Sequence, residues 1–278
     1  MFYKKIQKSL KAIAEGMNAA CHHFAERFHP MKVSFIVVGA QKGGTSALHY
    51  FLKQNPGIAL PRVKETDFFS YHYHTDYRFY HRKFHPFMGE RMMGEVSPSY
   101  MLEHEVVSVR IKAYNPEMKL IFILKNPVER AYSQYKMHLN KYGIKYSFEE
   151  CLEIAKNNNG KDIIFDPKSG LSTKTLESYF EFGHYSRQIQ SFQSHFPAHQ
   201  MLFLRTEELL ENHDVTLNRV FDFLGVPQVQ VPAKIIHSYQ GAPMSEAAKL
   251  ILYEEFQTEI ESLEKMLGWD LQRWKRPG

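Results

Sequence analysis

The sequence predicts an α/β fold, a single domain with a mainly parallel central sheet flanked by helices on both faces. Three observations carry this. Phe35, Ile36, Val37 and Val38 form a continuous apolar run, the pattern of a strand buried on both faces. A glycine-rich turn follows, and then Leu48, Phe51 and Leu52 at helical spacing. The order recurs at residues 119–124 (KLIFIL), which run into Pro127 and a helical pattern, and at residues 201–204 (MLFL), which run into Glu207-Glu208-Leu209. Strands alternating with helices along a chain build parallel sheets.

Composition narrows the function classes. A chain of 278 residues suits one large domain, and 44% hydrophobic with 23% charged residues is ordinary for a globular protein. A net charge of +5 fits an anionic ligand but is too small to argue for nucleic acid, so no nucleic-acid partner is expected. No run approaches the roughly 18 apolar residues of a membrane span. Cys21 and Cys151 lie far apart without metal-ligand spacing, which points to free thiols in a reducing, cytoplasmic compartment. Residues 1–30 read as a basic amphipathic helix, with Phe2, Ile6, Leu10, Ile13 and Met17 on one side and Lys4, Lys5, Lys8 and Lys11 elsewhere. Such a helix can lie on an anionic membrane surface, or pack on its own domain or on a partner subunit. The domain proper is expected over 31–278. The sequence does not choose an oligomeric state.

The chemistry is concentrated after the first strand. Gly39 to Gly44 holds three glycines in six residues, and the helix opens on Thr45-Ser46. Strand, glycine loop and helix start make an anion cradle, because free backbone N–H groups and the positive helix end face the same point. Gly39 and Gly44 have the spacing of the triphosphate loop GxxxxGK[ST], which makes the arrangement P-loop-like. However, Thr45 stands where that loop carries lysine, and the lysine has moved to Lys42. Further on, Lys64-Glu65 precede Phe68-Phe69, so Glu65 combines a carboxylate, adjacent cations and aromatic cover, the ingredients of a general base. A surface ion pair with Lys64 or Arg62 is the plainer reading. The His- and Tyr-rich stretch 71–88 contains His72 and His74 two apart, but its aromatics equally suit a cleft wall or lid.

Gln41-Lys42-Gly43-Gly44-Thr45-Ser46 resembles the 5′-phosphosulfate loop of sulfotransferases that use 3′-phosphoadenosine-5′-phosphosulfate (PAPS), most of all the glycan-sulfating branch and its bacterial relatives. The resemblance spans about residues 33–272. It implies that Lys42, Gly43, Gly44, Thr45 and Ser46 hold the 5′-phosphosulfate, that Glu65 is the catalytic base with Lys42 beside the leaving group, and that no metal is required. Lys125 to Ser133 is similar to the family's 3′-phosphate element, with Lys125 in the place of an arginine. Lysine keeps the charge but loses the bidentate fork, which leaves room for help from Arg130. Gly94 to Tyr100 resembles a segment in which a lysine stands at the position of Val96, and Lys64 is the substitute on the substrate side. Ser238, Tyr239, Gln240 and Gly241 fall where the family closes a loop over the cofactor.

The resulting expectation is sulfuryl transfer from PAPS, leaving 3′-phosphoadenosine-5′-phosphate, to a hydroxyl or amine of a glycan, lipid or small metabolite. The rivals are a P-loop-type nucleotide kinase or NTPase, and a non-catalytic nucleotide-binding module. At the far end Ser245 to Leu267 reads as the last helix, with Leu250, Tyr253 and Leu263 as packing residues.

Overall fold

The computed structural model describes residues 32–84, 92–157, 165–166, 171–236 and 242–275. Five strands, β1 (Phe35–Gly39), β2 (Ile58–Ala59), β3 (Met92–Val96), β4 (Lys119–Leu124) and, late in the chain, Met201–Arg205, form one sheet. A two-residue antiparallel pair, β5 (Phe165–Asp166) and β6 (Leu171–Ser172), stands apart from it, so the fifth sheet strand is β7. The sheet order is β2-β3-β1-β4-β7 and every pairing is parallel, as the alternating pattern predicts. β2 is only two residues long, Ile58–Ala59, at the edge of the sheet.

Alternation along the strands builds two cores. Ile36 and Val38 with Leu120, Phe122 and Leu124 point to one face; Phe35 and Val37 with Ile121 and Ile123 point to the other. The second face is covered by α1 (Thr45–Leu52) and by Leu217, Val220, Phe221 and Leu224 of the helix His213–Leu224. The first face carries the larger core, which takes in Val128 and Ala131 of the helix Pro127–Tyr142 and Leu252, Phe256, Ile260 and Leu263 of the helix Glu246–Leu267. That last helix corrects one expectation, since Leu250 is 66% exposed. The buried stripe runs Leu252, Phe256, Ile260, Leu263, a helical spacing that leaves Leu250 on the outer face.

The polar region 141–175 holds the amphipathic helix Phe148–Asn157 and the start of Thr173–Glu181. Phe148, Cys151, Leu152 and Ala155 are its buried face. Burial pushes the Cys151 thiol up to about 12, which leaves it protonated and inert at neutral pH. In the described part of the stretch after residue 70, Tyr73, Tyr80 and Phe84 pack with Phe68, Phe69, Tyr100 and Tyr114 in one aromatic cluster. Among the described residues no three His, Cys, Asp or Glu side chains gather as a metal-binding group, and no helix is long and apolar enough to cross a membrane. Residues 1–30, the expected amphipathic helix, lie outside the described residues.

The helix Tyr185–Gln193 is fastened to Glu246–Leu267 by a compact ionic cluster. Glu259 accepts from the Ser186 amide and hydroxyl, each at 2.7 Å, and His184 Nε2 lies 3.3 Å from Glu255. Bonding to Glu255 and Glu259 raises the His184 pKa from 6.5 to about 9. This stabilisation is therefore complete below about pH 6.5 and is lost as pH rises through about 9. His184→Gln is expected to lower the melting temperature at pH 6 by roughly 2–4 °C per kcal/mol of lost pairing. Thermal melts should show the gap to wild type closing by pH 9.5; a gap independent of pH would contradict the ionic reading.

Candidate active site

The carboxyl ends of β1, β3, β4 and β7 open onto a cleft of about 1270 Å³. Open α/β sheets bind ligands at this edge. Lys42, Gly44, Thr45, Ser46, Glu65, Lys125 and Ser133 all line the one cleft. Ser238 to Gly241 lie outside the described residues, while Lys234, Ile235 and Ile236, just before them, line its rim.

The glycine loop has its shape for steric reasons. Ala40 donates to Ile123 O at 2.8 Å, which draws the loop down onto β4. A Cβ at Gly43 would run into that same Ile123 carbonyl. Gly44 has φ 101, a left-handed conformation that side chains rarely adopt, and it caps α1 without a side-chain bond. The first-turn N–H groups of α1 have no partner within the helix, so they are left for whatever occupies the cleft. Lys42 also takes left-handed backbone, at φ 68, a cost that persists only where surroundings enforce it. Gly43→Ala is expected to weaken anion binding at least tenfold by displacing this loop, a loss of about 1.4 kcal/mol. Titration with inorganic phosphate checks it, and unchanged affinity would show that the loop has slack.

Cations crowd the cleft. Burial, then Lys125, Arg130, Lys136 and Lys64, hold the Lys42 pKa down from 10.5 to about 8. Four like charges near one amine mark a place built for negative charge. Lys125 pairs with Glu129 at 3.3 Å. The suggestion that Arg130 assists Lys125 directly is overturned. Arg130 is fully buried, donating to Gln134 Oε1 at 2.6 Å and to the Tyr179 and Ser178 carbonyls at 2.6 and 3.2 Å. Its contribution to the cleft is its charge, felt through the interior. His138 lines the wall as a neutral imidazole, its pKa lowered to about 4 by burial and by Lys42, Arg130 and Lys141, with Nδ1 3.0 Å from Tyr179 Oη.

Glu65 stands at φ 68 with its amide donating to Val96 O at 3.2 Å, and its carboxylate touches Lys64 Nζ. Its side chain is 48% exposed. Phe68 and Phe69 are fully buried, so they anchor the loop in the core instead of shielding the carboxylate as expected. Val96 is also fully buried, packed among Phe35, Val37 and Ile58, which explains an apolar residue at that position.

Sequence reasoning missed Thr206 and Lys136. Thr206 Oγ1 donates to Gly43 O at 2.5 Å and to Leu124 O at 3.0 Å, tying the glycine loop to the ends of β4 and β7. Its place directly after the third apolar run was the available signal. Lys136 lies three residues after Ser133 on one helix, hence on the same face.

Comparison with known proteins shows the family and the fold. A family model described as "Sulfotransferase domain" matches residues 32–267. The chain is 31% identical over 194 residues to heparan sulfate glucosamine 3-O-sulfotransferase 3B1 of Mus musculus, covering 70% of this chain and 46% of that protein. It is 29% identical over 205 residues to bifunctional heparan sulfate N-deacetylase/N-sulfotransferase 2 of Homo sapiens, covering 69% of this chain and 22% of that protein. The chain thus spans less than half the length of these curated relatives. A crystal structure of a sulfotransferase from Alicyclobacillus acidocaldarius superposes with a TM-score of 0.74 at 28% identity, over 88% of this chain and 100% of the other.

Proposed function

The chain belongs to the sulfotransferase domain family, and from that premise we propose that it moves a sulfuryl group from PAPS to a hydroxyl or amine of an acceptor, a glycan, lipid or small metabolite. One observation carries the reading: a glycine loop with an internal lysine, a carboxylate at Glu65, and a second cation-and-hydroxyl pair at Lys125 and Ser133 share one cleft.

The residues fit the group. The cradle at Gly43 and Gly44 excludes side chains, the helix start offers amides, and the lysines around it supply the countercharge a bisphosphate needs. PAPS, when bound, supplies the sulfuryl group and departs as 3′-phosphoadenosine-5′-phosphate (PAP). The Gly44 to Ser46 amides and the Thr45 and Ser46 hydroxyls would hold the 5′-phosphate; the Gly43 amide, also expected there, is taken by Ala40 O at 2.9 Å, so Gly43 serves by its lack of a side chain. Lys42 offsets charge on the departing oxygen, as preorganised donors do in related transfers. Lys125 and Ser133 hold the 3′-phosphate, which distinguishes this nucleotide from ADP. Glu65 accepts the acceptor's proton, and Lys64, whose Nζ touches the carboxylate, steers the acceptor. The acceptor class follows the relatives only as far as a starting panel.

The test is transfer of labelled sulfuryl from PAPS to heparan sulfate, its desulfated forms, p-nitrophenol and water. Label in any product, or PAP released, supports the reading. Absence of both at enzyme concentrations that bind PAP would reduce the protein to a nucleotide-binding module.

A further inference from the structure

Directly beneath the Glu65 loop lies a carboxylate that the reaction as derived does not use. Glu95, at the end of β3, is fully buried. Its Oε1 accepts from Tyr80 Oη at 2.7 Å and Tyr100 Oη at 2.9 Å; its Oε2 accepts from Ser97 Oγ at 2.8 Å and from Thr66 Oγ1. Two donors on each oxygen fill the ordinary capacity of an ionised carboxylate. No lysine or arginine takes part in this set of bonds, so hydroxyl dipoles stabilise the group.

The four hydroxyls come from three separate places: the Glu65 loop, the helix Tyr77–His81, and the segment following β3. Thr66 is the residue next to Glu65. Glu65 and Asp67, on either side of it, both hold left-handed backbone, at φ 68 and 49, which is costly for residues with side chains. Other bonds grip the two flanking residues: Glu65 N to Val96 O, Asp67 N to Ser97 Oγ at 3.4 Å, and Ser99 Oγ to Asp67 Oδ1 at 2.6 Å. Such a backbone persists only where its surroundings over-determine it.

We propose that Glu95 is a positioning residue that acts through Thr66, its buried carboxylate locking the Glu65 loop in left-handed backbone and so aiming the Glu65 carboxylate into the cleft. The proposal rests on the reading of Glu65 as the base. Thr66 is the coupling point; the Tyr80 hydroxyl bonds the same carboxylate and none of residues 65–67, and Tyr80→Phe keeps the ring that stacks on Phe68.

The experiment compares Thr66→Val, Thr66→Ser and Tyr80→Phe in the full chain, with PAP release from PAPS to water as the turnover probe, PAP calorimetry, melting temperature, and the crystal structure of Thr66→Val. Thr66→Val is expected to lose about a hundredfold in kcat, the scale of a misplaced catalytic group, while PAP affinity stays within about threefold. Thr66→Ser should recover most of that loss. Tyr80→Phe should melt earlier, as Thr66→Val does, yet keep kcat near wild type. In the Thr66→Val crystal Glu65 should leave the left-handed region. Wild-type kcat in Thr66→Val with Glu65 still near its present φ would overturn the proposal, as would a Tyr80→Phe loss equal to that of Thr66→Val. A wild-type chain that releases no PAP would instead count against the sulfotransferase reading; the Glu65 backbone in the Thr66→Val crystal would still decide the positioning claim.

Discussion

Replacing Glu65 with glutamine is expected to lower kcat by about 10²–10⁴-fold, the usual contribution of a general base, while PAP affinity is unchanged. The substitution keeps volume and removes only the proton-accepting charge. Glu65 contacts Lys64 and stands at the cleft wall, its side chain still 48% exposed, so its loss strands no buried group and the fold should survive. Single-turnover measurement with labelled PAPS separates the chemical step from binding. Turnover within threefold of wild type would remove Glu65 from the mechanism and point to another base.

Lys42→Ala should have the opposite signature, losing binding and turnover together. Lys42 sits in the loop itself, and removing one charge-assisted donor from an anion site costs about 2.7–4 kcal/mol, or 10²–10³-fold. Its pKa adds a diagnostic. Held down to about 8 by burial and neighbouring cations, Lys42 is charged at pH 7 and loses its charge as pH rises through about 8. PAP affinity of the wild type should therefore fall between about pH 7 and 9, and this fall should be absent from Lys42→Ala. Lys42→Arg would keep its charge at pH 9 and flatten the same curve. A wild-type affinity that does not change over this range would show that Lys42 stays outside the binding event.

The sheet was legible because its strands are buried on both faces, so apolar runs such as 35–38 and 119–124 announce themselves without alternation. The anion loop was legible for the same reason that it works: glycine is needed where Gly43 meets Ile123 and where Gly44 turns left-handed. Other parts depended on tertiary context. Arg130 reads as a cation near a phosphate site, and only the fold shows its guanidinium spent on the Tyr179 and Ser178 carbonyls. Phe68 and Phe69 sit two and three residues past Thr66, which suggested cover for Glu65; the buried hydroxyls around Glu95 draw that segment inward instead. The helix Phe148–Asn157 was hidden by the polar residues around it, although Phe148, Cys151, Leu152 and Ala155 have helical spacing.

The most direct test of the central claim is calorimetric titration of the full chain with PAP, set against ADP with Mg²⁺. Tight binding of PAP, weakened in Ser133→Ala and lost in Lys42→Ala, is the expected result. Preference for ADP with Mg²⁺, or PAP binding indifferent to Ser133, would contradict it and return the glycine loop to the nucleotide kinases.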